Sequence, residues 1–329
     1  MKSRCCLLVA GLAAMLLPGA QAFAQAKKDD YPTRPVRMIV PFAPGGASDT
    51  VGRIIEPAMA DLLKQRVVVD NRGGAAGNIG VEIAVRASPD GYHFLLGNVG
   101  TMAINPVYYT KFPYRPLKDL VAITQVVDVP GCLVVHPSQP AKNVKELIAH
   151  LKANPSKLNY GAPAPSSANA LEMHMFLHAT GTNAVQIAYK GGAGPAMIGL
   201  LGNEVQMMFV TFSSAVNFAK AGRVRMLGVI SPKRNPALPE IPTMREQGLD
   251  MVVGSWQGLF VPVGTPQPVV KKLFQVGHET MKDPLVIKRL GEAGIEIVTS
   301  KSPAEFTAFV KAETERFGKV IKDANIQTE

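Results

Sequence analysis

Short apolar runs and amphipathic stretches alternate along the first third of the chain. Residues 36–41 form a mostly apolar run, and over residues 48–63 apolar positions recur at spacings of three and four. The first pattern is typical of a buried strand, and the second is typical of a helix with one apolar face. Residues 67–69 and 93–96 repeat the strand pattern around a helical stretch at 79–87. This strand-helix-strand-helix-strand order predicts a parallel sheet with right-handed crossovers.

The same rhythm returns from near Gln125 onward. It predicts strands at 133–135, 158–160, 185–189, 205–209, 224–230 and 256–261, and helices at 144–151, 167–179, 195–201, 268–281 and 303–324. A chain of this length is too long for one small core, so we expect an α/β protein with two domains. Ligands of open α/β sheets bind beyond the carboxyl ends of the strands, so the cleft between two such domains is the expected site.

The N-terminus has the pattern of an export signal. Lys2 and Arg4 precede an apolar run at 5–17, which is shorter than the roughly 20 residues that a membrane-spanning helix needs. Ala22-Phe23-Ala24 is the small-x-small pattern that precedes cleavage. We therefore predict a signal peptide at 1–24, cleavage after Ala24 and a mature protein in the periplasm.

Only one cysteine remains after removal of that leader, which excludes an internal disulfide bond. It is Cys132, and it begins a strongly apolar run. This setting favours a buried core thiol over a reactive one.

Composition and charge exclude two classes of protein. Hydrophobic residues make up 47% and charged residues 18%, which argues against disorder. The formal charge of +10 is spread along the chain, and its densest pair, Lys233-Arg234, lies among prolines. A nucleic-acid-binding protein would concentrate its basic residues in a stripe with interleaved aromatic residues. We expect no nucleic-acid partner.

Glycine-rich or hydroxyl-rich turns follow the predicted strands. They lie at 41–49, 72–78 and 97–101 in the first region, and at 163–167, 189–192 and 211–214 in the second. Glycines allow the backbone N–H groups to point at a ligand, and a helix N-terminus adds a partial positive charge. Such turns can hold an anion. They can equally be ordinary strand-to-helix connections in which Ser48 or Asp49 is the N-cap.

The motifs typical of enzymes are incomplete in this chain. Ser48 follows a strand as a nucleophile would, but the final glycine of G-x-S-x-G is missing. His174 and His178 share a helical face without the glutamate of a zinc motif, and Met197 replaces the third glycine of a dinucleotide fingerprint. We predict no catalytic residue, metal or cofactor. A secreted hydrolase that uses Ser48 remains the alternative.

Several collinear motifs resemble one known family. They are Pro41-Phe42-Ala43-Pro44-Gly45-Gly46-Ala47-Ser48-Asp49, the glycine-rich run at 71–80, Tyr189-Lys190-Gly191, Leu238-Pro239-Glu240-Ile241-Pro242-Thr243 and Trp256-Gln257-Gly258-Leu259. Together they cover almost all of the mature chain and resemble the Bug family, the periplasmic substrate-binding proteins of tripartite tricarboxylate transporters.

The resemblance implies a two-domain periplasmic-binding-protein architecture of type II-like, flytrap form with a central cleft. Domain 1 would comprise residues 31–125 and 251–329, and domain 2 would comprise residues 126–250. The ligand would be a small carboxylate, the partner a membrane permease, and the protein a monomer. A ligand sensor for a signalling receptor would have the same fold. The implied ligand-binding residues are Phe42, Ala43, Gly46, Ser48, Ala75, Asn78, Asn98 and Thr101 on the first wall and Ala164, Ser166, Ser167, Tyr189 and Thr211 on the second.

The chain departs from the family pattern mainly in domain 2. Ala170 stands where the family usually has a histidine, and Val210 stands where members often have aspartate. Fewer charged groups on that wall suggest a mono- or dicarboxylate with an apolar or aromatic body. Lys190 either forms a salt bridge at the cleft rim or faces solvent.

Overall fold

The computed structural model describes residues 31–163, 166–189, 192–251, 254–323 and 326, so the signal peptide predicted at 1–24 lies outside the described residues. The strands are β1 (Val36–Val40), β2 (Val67–Asn71), β3 (His93–Asn98), β4 (Leu120–Val135), β5 (Asn159–Ala162), β6 (Val185–Ala188), β7 (Met207–Thr211), β8 (Arg225–Ile230), β9 (Gly254–Pro262) and β10 (Glu296–Ile297).

The helices are α1 (Ala47–Leu63), α2 (Asn78–Val85), α3 (Asn105–Tyr108), α4 (Pro116–Asp119), α5 (Val144–Ala153), α6 (Ala168–Thr180), α7 (Ala193–Leu201), α8 (Phe212–Lys220), α9 (Gln267–Thr280), α10 (Pro284–Glu292) and α11 (Pro303–Asp323). In the described part of the chain, no helix combines the length and the apolar character needed to cross a bilayer.

The first sheet contains the predicted parallel unit. Strand β1 lies between β2 and β3 and runs parallel to both, as the strand-helix alternation predicts. Strand β9 continues the sheet antiparallel to β3, and the first part of β4 pairs antiparallel with β9. The short strand β10 pairs with β4.

The second sheet is built around the remainder of β4. This part of the strand lies between β7 and β8 and is antiparallel to both. Strand β5 runs parallel to both β7 and β6. Strand β4 changes partners between Pro130, which is paired with Gly254, and Gly131, which is paired with Thr211 and Ile230. One continuous strand therefore belongs to both sheets.

Helices cover both faces of each sheet. Side chains of α1, α9 and α10 pack on one face of the first sheet, and those of α2 and α11 pack on the other. In the second sheet, α5 and α6 cover one face, and α7 and α8 cover the other. Cys132 is fully buried in the last of these clusters, as predicted, and burial raises the pKa of its thiol. Each half is thus a three-layer α/β/α unit with its own core.

Several elements differ from the sequence prediction. Strand β4 has 16 residues, whereas the pattern predicts only 133–135, because Pro130 and Gly131 resemble a strand end. Helix α8 occupies a segment interpreted as a hydroxyl-rich turn, and β7 ends two residues later than predicted, directly at the N-cap of α8. The sequence pattern does not predict α3, α4, α10 or β10.

A buried carboxyl group lies against the point where β4 changes sheets. Glu172 of α6 is 1% exposed, and a Cβ atom at Gly131 would lie 2.7 Å from its Oε1 atom. Asn169 Nδ2 donates a hydrogen bond of 3.1 Å to Glu172 Oε2. Burial raises the pKa of Glu172 to about 8, and the bond from Asn169 opposes this only in part. Glu172 is therefore predominantly neutral below that pH.

We expect Glu172 to make the stability of the fold depend on pH. From its ordinary pKa of 4.5 up to about 8, the folded protein keeps a proton that the unfolded chain releases. The free energy of unfolding therefore falls as pH rises, by at most about 1.4 kcal/mol per pH unit from this group. Glu172→Gln should remove that decline, and urea unfolding at pH 5, 6, 7 and 8 measures it.

The exposed Glu315 provides the matched control. Glu315→Gln should retain the pH dependence of the parent protein, because it removes an exposed carboxyl group and leaves the buried carboxyl of Glu172 in place. Equal pH slopes for Glu172→Gln and the parent would contradict the assignment of the buried neutral carboxyl.

Candidate ligand-binding site

A cavity of about 400 Å³ lies between the loop ends of the two sheets. The glycine-rich turns after β1, β2 and β3 form one side, and the loops after β5, β6 and β7 form the other. Eight of the residues predicted from the sequence line it: Phe42, Ala43, Gly46, Ser48, Ala75, Asn98, Ser167 and Thr211. The structure thus brings together turns that are distant in the sequence.

Four predicted residues lie outside the cavity lining, and Ala164 lies outside the described residues. Asn78 and Thr101 are buried behind the first wall. Ser166 is also fully buried, and its Oγ donates a hydrogen bond of 3.0 Å to the hydroxyl of Tyr109. Tyr189 donates instead to Glu204 Oε2 at 3.0 Å. Ligand contact by these residues stays a prediction.

The turn before α1 is closed by Asp49. Its Oδ2 accepts a bond of 3.0 Å from the backbone N–H of Gly45, and its Oδ1 accepts one of 2.9 Å from Arg53 Nε. Gly45 has a φ of +91°, in the left-handed region that favours glycine. The Asp49 carboxylate therefore shapes the loop from within, and Ser48 beside it lines the cavity.

The turn before α2 holds four successive residues at positive φ. Gly74 and Gly77 tolerate this region, but Ala75 and Ala76 have φ values of +46° and +55°. Non-glycine residues adopt this conformation at an energetic cost that the surrounding structure has to offset. Asn105 contributes to that offset, because its Nδ2 donates to the carbonyl of Ala76 at 3.1 Å.

A buried hydrogen-bond network supports this turn from behind. Asn78 Oδ1 accepts bonds from Asn105 Nδ2 at 2.7 Å and from the Tyr114 hydroxyl at 3.1 Å. The same hydroxyl also donates to the carbonyl of Thr101 at 2.9 Å, and burial raises the pKa of Tyr114. Thr101 in turn donates its N–H to Asn98 Oδ1 at 3.1 Å. Asn78 and Thr101 thus link the turns after β2 and β3.

Helices α1, α2, α6, α7 and α8 all begin at the cavity wall. Their N-cap residues, Gly46, Gly77, Ser167, Gly192 and Thr211, line the cavity. Only Ser167 caps its helix with a side-chain bond, which it accepts from Ala170 N at 3.2 Å. In the other four helices, the N-cap side chain accepts no hydrogen bond from the backbone N–H groups of the first turn. Converging N-termini create positive potential without a cation.

The described part of the cavity wall carries no titratable side chain. Its polar groups are hydroxyls and amides, and alanine, glycine, proline, valine and phenylalanine supply the rest. No histidine or carboxylate among these lining residues can act as a general base for Ser48. In the described part of the chain, His, Cys, Asp and Glu also form no group of three or more that could hold a metal ion.

Strand β9 supplies lining residues that sequence reasoning missed. Ser255 and Gln257 are two positions apart, so they lie on the same face of the strand, and both line the cavity. The sequence pattern predicts a strand at 256–261 and a family motif there, but it indicates no ligand contact. Asn105 and Asn169 were also missed, because polar residues inside or beside helices give no sequence signal of a binding site.

The comparisons with known proteins agree on one family. Residues 51–326 match the family described as tripartite tricarboxylate transporter family receptor. Protein BugT of Bordetella pertussis is 32% identical over 302 residues, which cover 91% of this chain and 92% of BugT.

Two solved structures share the fold over nearly their whole length. The periplasmic binding protein BugD superimposes with a TM-score of 0.87 at 37% identity, over 91% of this chain and all of BugD. The R. palustris protein Rpa4515, solved with adipate, gives a TM-score of 0.87 at 32% identity, over 90% and 99% of the two chains. This chain is therefore a member of the tripartite tricarboxylate transporter receptor family, and it shares its fold with the periplasmic binding protein BugD.

Proposed function

We propose that the mature chain is a periplasmic solute-binding protein that captures a small carboxylate with an apolar body and delivers it to a membrane permease. The observation that carries this proposal is the set of helix N-termini around a neutral cavity. Rpa4515, a relative of the same fold, was solved with adipate, which supports the ligand class. The leader pattern at 1–24 supports export to the periplasm.

The carboxylate would be held by neutral donors. The backbone N–H groups at the starts of α1 and α2 and the hydroxyl of Ser48 surround one part of the cavity. A hydrogen bond to a charged group contributes about 1.5 to 3 kcal/mol, so a few such donors can replace the water that the anion loses. No bond of the ligand would be made or broken.

The rest of the cavity suits an apolar ligand body. Phe42, Ala168, Ala188 and Ala193 line it. Ala170 and Val210, which replace side chains that are polar or charged in the family pattern, are fully buried outside the cavity lining. A second buried charge would need a partner, and the described wall offers none. A monocarboxylate, or a dicarboxylate whose far end reaches solvent, fits these surroundings.

Closure of the two halves would exclude water from the bound anion. The loop after β1 already meets the start of α7: a Cβ atom at Gly192 would lie 3.7 Å from the ring of Phe42, and one at Gly194 would lie 3.1 Å from the carbonyl of Pro44. We propose that residues 31–125 with 251–329 move against residues 126–250, and that β4 and β9 bend as the hinge. The permease would recognise the closed form.

Carboxylates, and not their methyl esters, should stabilise the purified mature protein. At a ligand concentration about 100 times its Kd, mass action should raise the melting temperature by about 4 °C. A thermal-shift panel of hexanoate, adipate, benzoate and their methyl esters measures this effect. The affinity should also stay constant from pH 6 to pH 9, because no described lining side chain titrates there. Equal shifts for acids and esters would refute anion recognition.

Ser48→Ala should weaken carboxylate binding about tenfold, because one hydroxyl donor to the anion is lost. Titration calorimetry measures the change. The matched control is Ser213→Ala, since the Ser213 hydroxyl is buried but lies outside the cavity lining. Hydrolysis of the ester panel by the parent protein, abolished by Ser48→Ala, would favour the secreted-hydrolase alternative.

Asn105→Ala should weaken the binding of every carboxylate in the panel by a similar factor. The substitution removes two hydrogen bonds that hold the left-handed turn at Ala75 and Ala76, so the N–H groups of that turn lose their fixed direction. Calorimetry with hexanoate and benzoate tests whether the factor is shared. Asn154→Ala is the control, because Asn154 also bonds a backbone carbonyl, that of His150, but far from the cavity. Unchanged affinity for Asn105→Ala would exclude this supporting role.

A further inference from the structure

Gln257 is a fully buried amide in the cavity wall with both of its polar atoms unpaired. Its exposed fraction is 0%, and neither Nε2 nor Oε1 has a hydrogen-bond partner among the described residues. Burial of an unsatisfied amide destabilises a fold, so native structures rarely retain one without a reason. Gln257 is also one of the residues that line the cavity, so it lies next to the space that a ligand would occupy.

The side chains opposite Gln257 in the sheet do not pair with its amide. Gln257 of β9 lies opposite Asn98 of β3 and opposite Val127 of β4. The Oδ1 atom of Asn98 already accepts bonds from both the N–H and the hydroxyl of Thr101. Val127 has no polar side-chain atom. Neither cross-strand neighbour bonds the Gln257 amide, and Gln257 is one of the residues that line the cavity.

Other buried polar atoms without partners do not share this position. His93, Asp128, Gln186, Ser213 and Thr280 each have one such atom, and none of them lines the cavity. Among the described residues, Gln257 alone combines an orphaned donor, an orphaned acceptor and a place in the wall. Ser255, on the same face of β9, adds a buried hydroxyl beside it.

We infer that Gln257 is a specificity-determining residue that reads the end of the ligand remote from the carboxylate, and that this end is a neutral group able to donate and accept hydrogen bonds at once. The inference rests on the proposed function, because it needs a bound carboxylate to define the other end. A hydroxyl or a carboxamide pairs with both amide atoms. A second carboxylate can only accept hydrogen bonds. It would therefore leave the Oε1 atom of Gln257 unpaired and facing negatively charged carboxylate oxygens. A methyl group satisfies neither atom.

Two ladders of ligands that differ only at the far end test this inference by titration calorimetry. The aliphatic ladder is hexanoate, 6-hydroxyhexanoate, adipamate and adipate. The aromatic ladder is benzoate, 4-hydroxybenzoate, 4-carbamoylbenzoate and terephthalate. In the ladder that binds more tightly, the hydroxyl or carboxamide member should bind about tenfold more tightly than both the unsubstituted acid and the diacid. The member that binds best distinguishes the two neutral groups.

Gln257→Met should remove this preference while retaining carboxylate binding, because methionine has a similar length and no strong donor or acceptor. Gln257→Leu is a second apolar variant, and the melting temperature of each ligand-free variant reports folding. The control is Thr280→Val, which also removes an orphaned buried atom, but outside the cavity, and should leave the preference unchanged.

The outcomes separate the two proposals. Three results would show that Gln257 does not have the inferred role, while the proposed function stands. Carboxylates could bind with equal affinity for all members of a ladder, adipate or terephthalate could bind best, or Gln257→Met could keep the preference. If no member of either ladder binds, the proposed function fails, and the inference fails with it.

Discussion

The continuity of β4 through two sheets is the constraint on which the architecture depends. Pro130 has no N–H to donate to a neighbouring strand. Gly131 has no side chain to separate the strand from the carboxyl of Glu172. At these two residues the strand leaves the pairing with β9 and enters between β7 and β8. Both sheets therefore direct their loop ends toward the same space, and the cavity is a consequence of that strand.

The proposed site would recognise an anion without a counter-charge. Fixed backbone dipoles provide the positive potential, and the two left-handed alanines and the network behind them keep those dipoles in place before any ligand arrives. This preorganisation matters because the ordering cost is met during folding and not at binding. It also makes the cavity indifferent to pH near neutrality, whereas a site built from histidine would lose its charge in that range.

The sequence was most informative where local pattern and backbone chemistry coincide. The parallel unit, most helices and the turns at Gly46, Ala75 and Asn98 follow from periodicity and from glycine placement, and they lie where the pattern predicts. The part of the cavity wall that β9 contributes cannot be predicted from local pattern. Ser255 and Gln257 reach it only because β9 inserts between β3 and β4, a pairing between segments far apart in the chain that no local pattern encodes.

The same limit explains the predicted residues that lie behind the wall. Asn78 and Thr101 have the residue types of a binding site and occupy the correct turns, but side-chain direction depends on the neighbours they find. Asn105 and Tyr114 turn Asn78 inward. A motif therefore identifies the loop, whereas tertiary contacts decide which of its atoms face the ligand.

Direct bonds already join the two halves of the molecule. Tyr109 accepts a hydrogen bond from Ser166 across the cleft, and Asn235 donates a buried bond of 2.9 Å to the carbonyl of Gly294. Contacts of this kind favour closure whether or not a solute is inside. In the proposed closing motion they would raise the apparent affinity, since less binding energy would be consumed in closing the halves, but they would also populate a closed, empty receptor. With the proposed delivery to a permease, such receptors would compete with loaded ones, so these two bonds would set a trade-off between tight capture and efficient delivery.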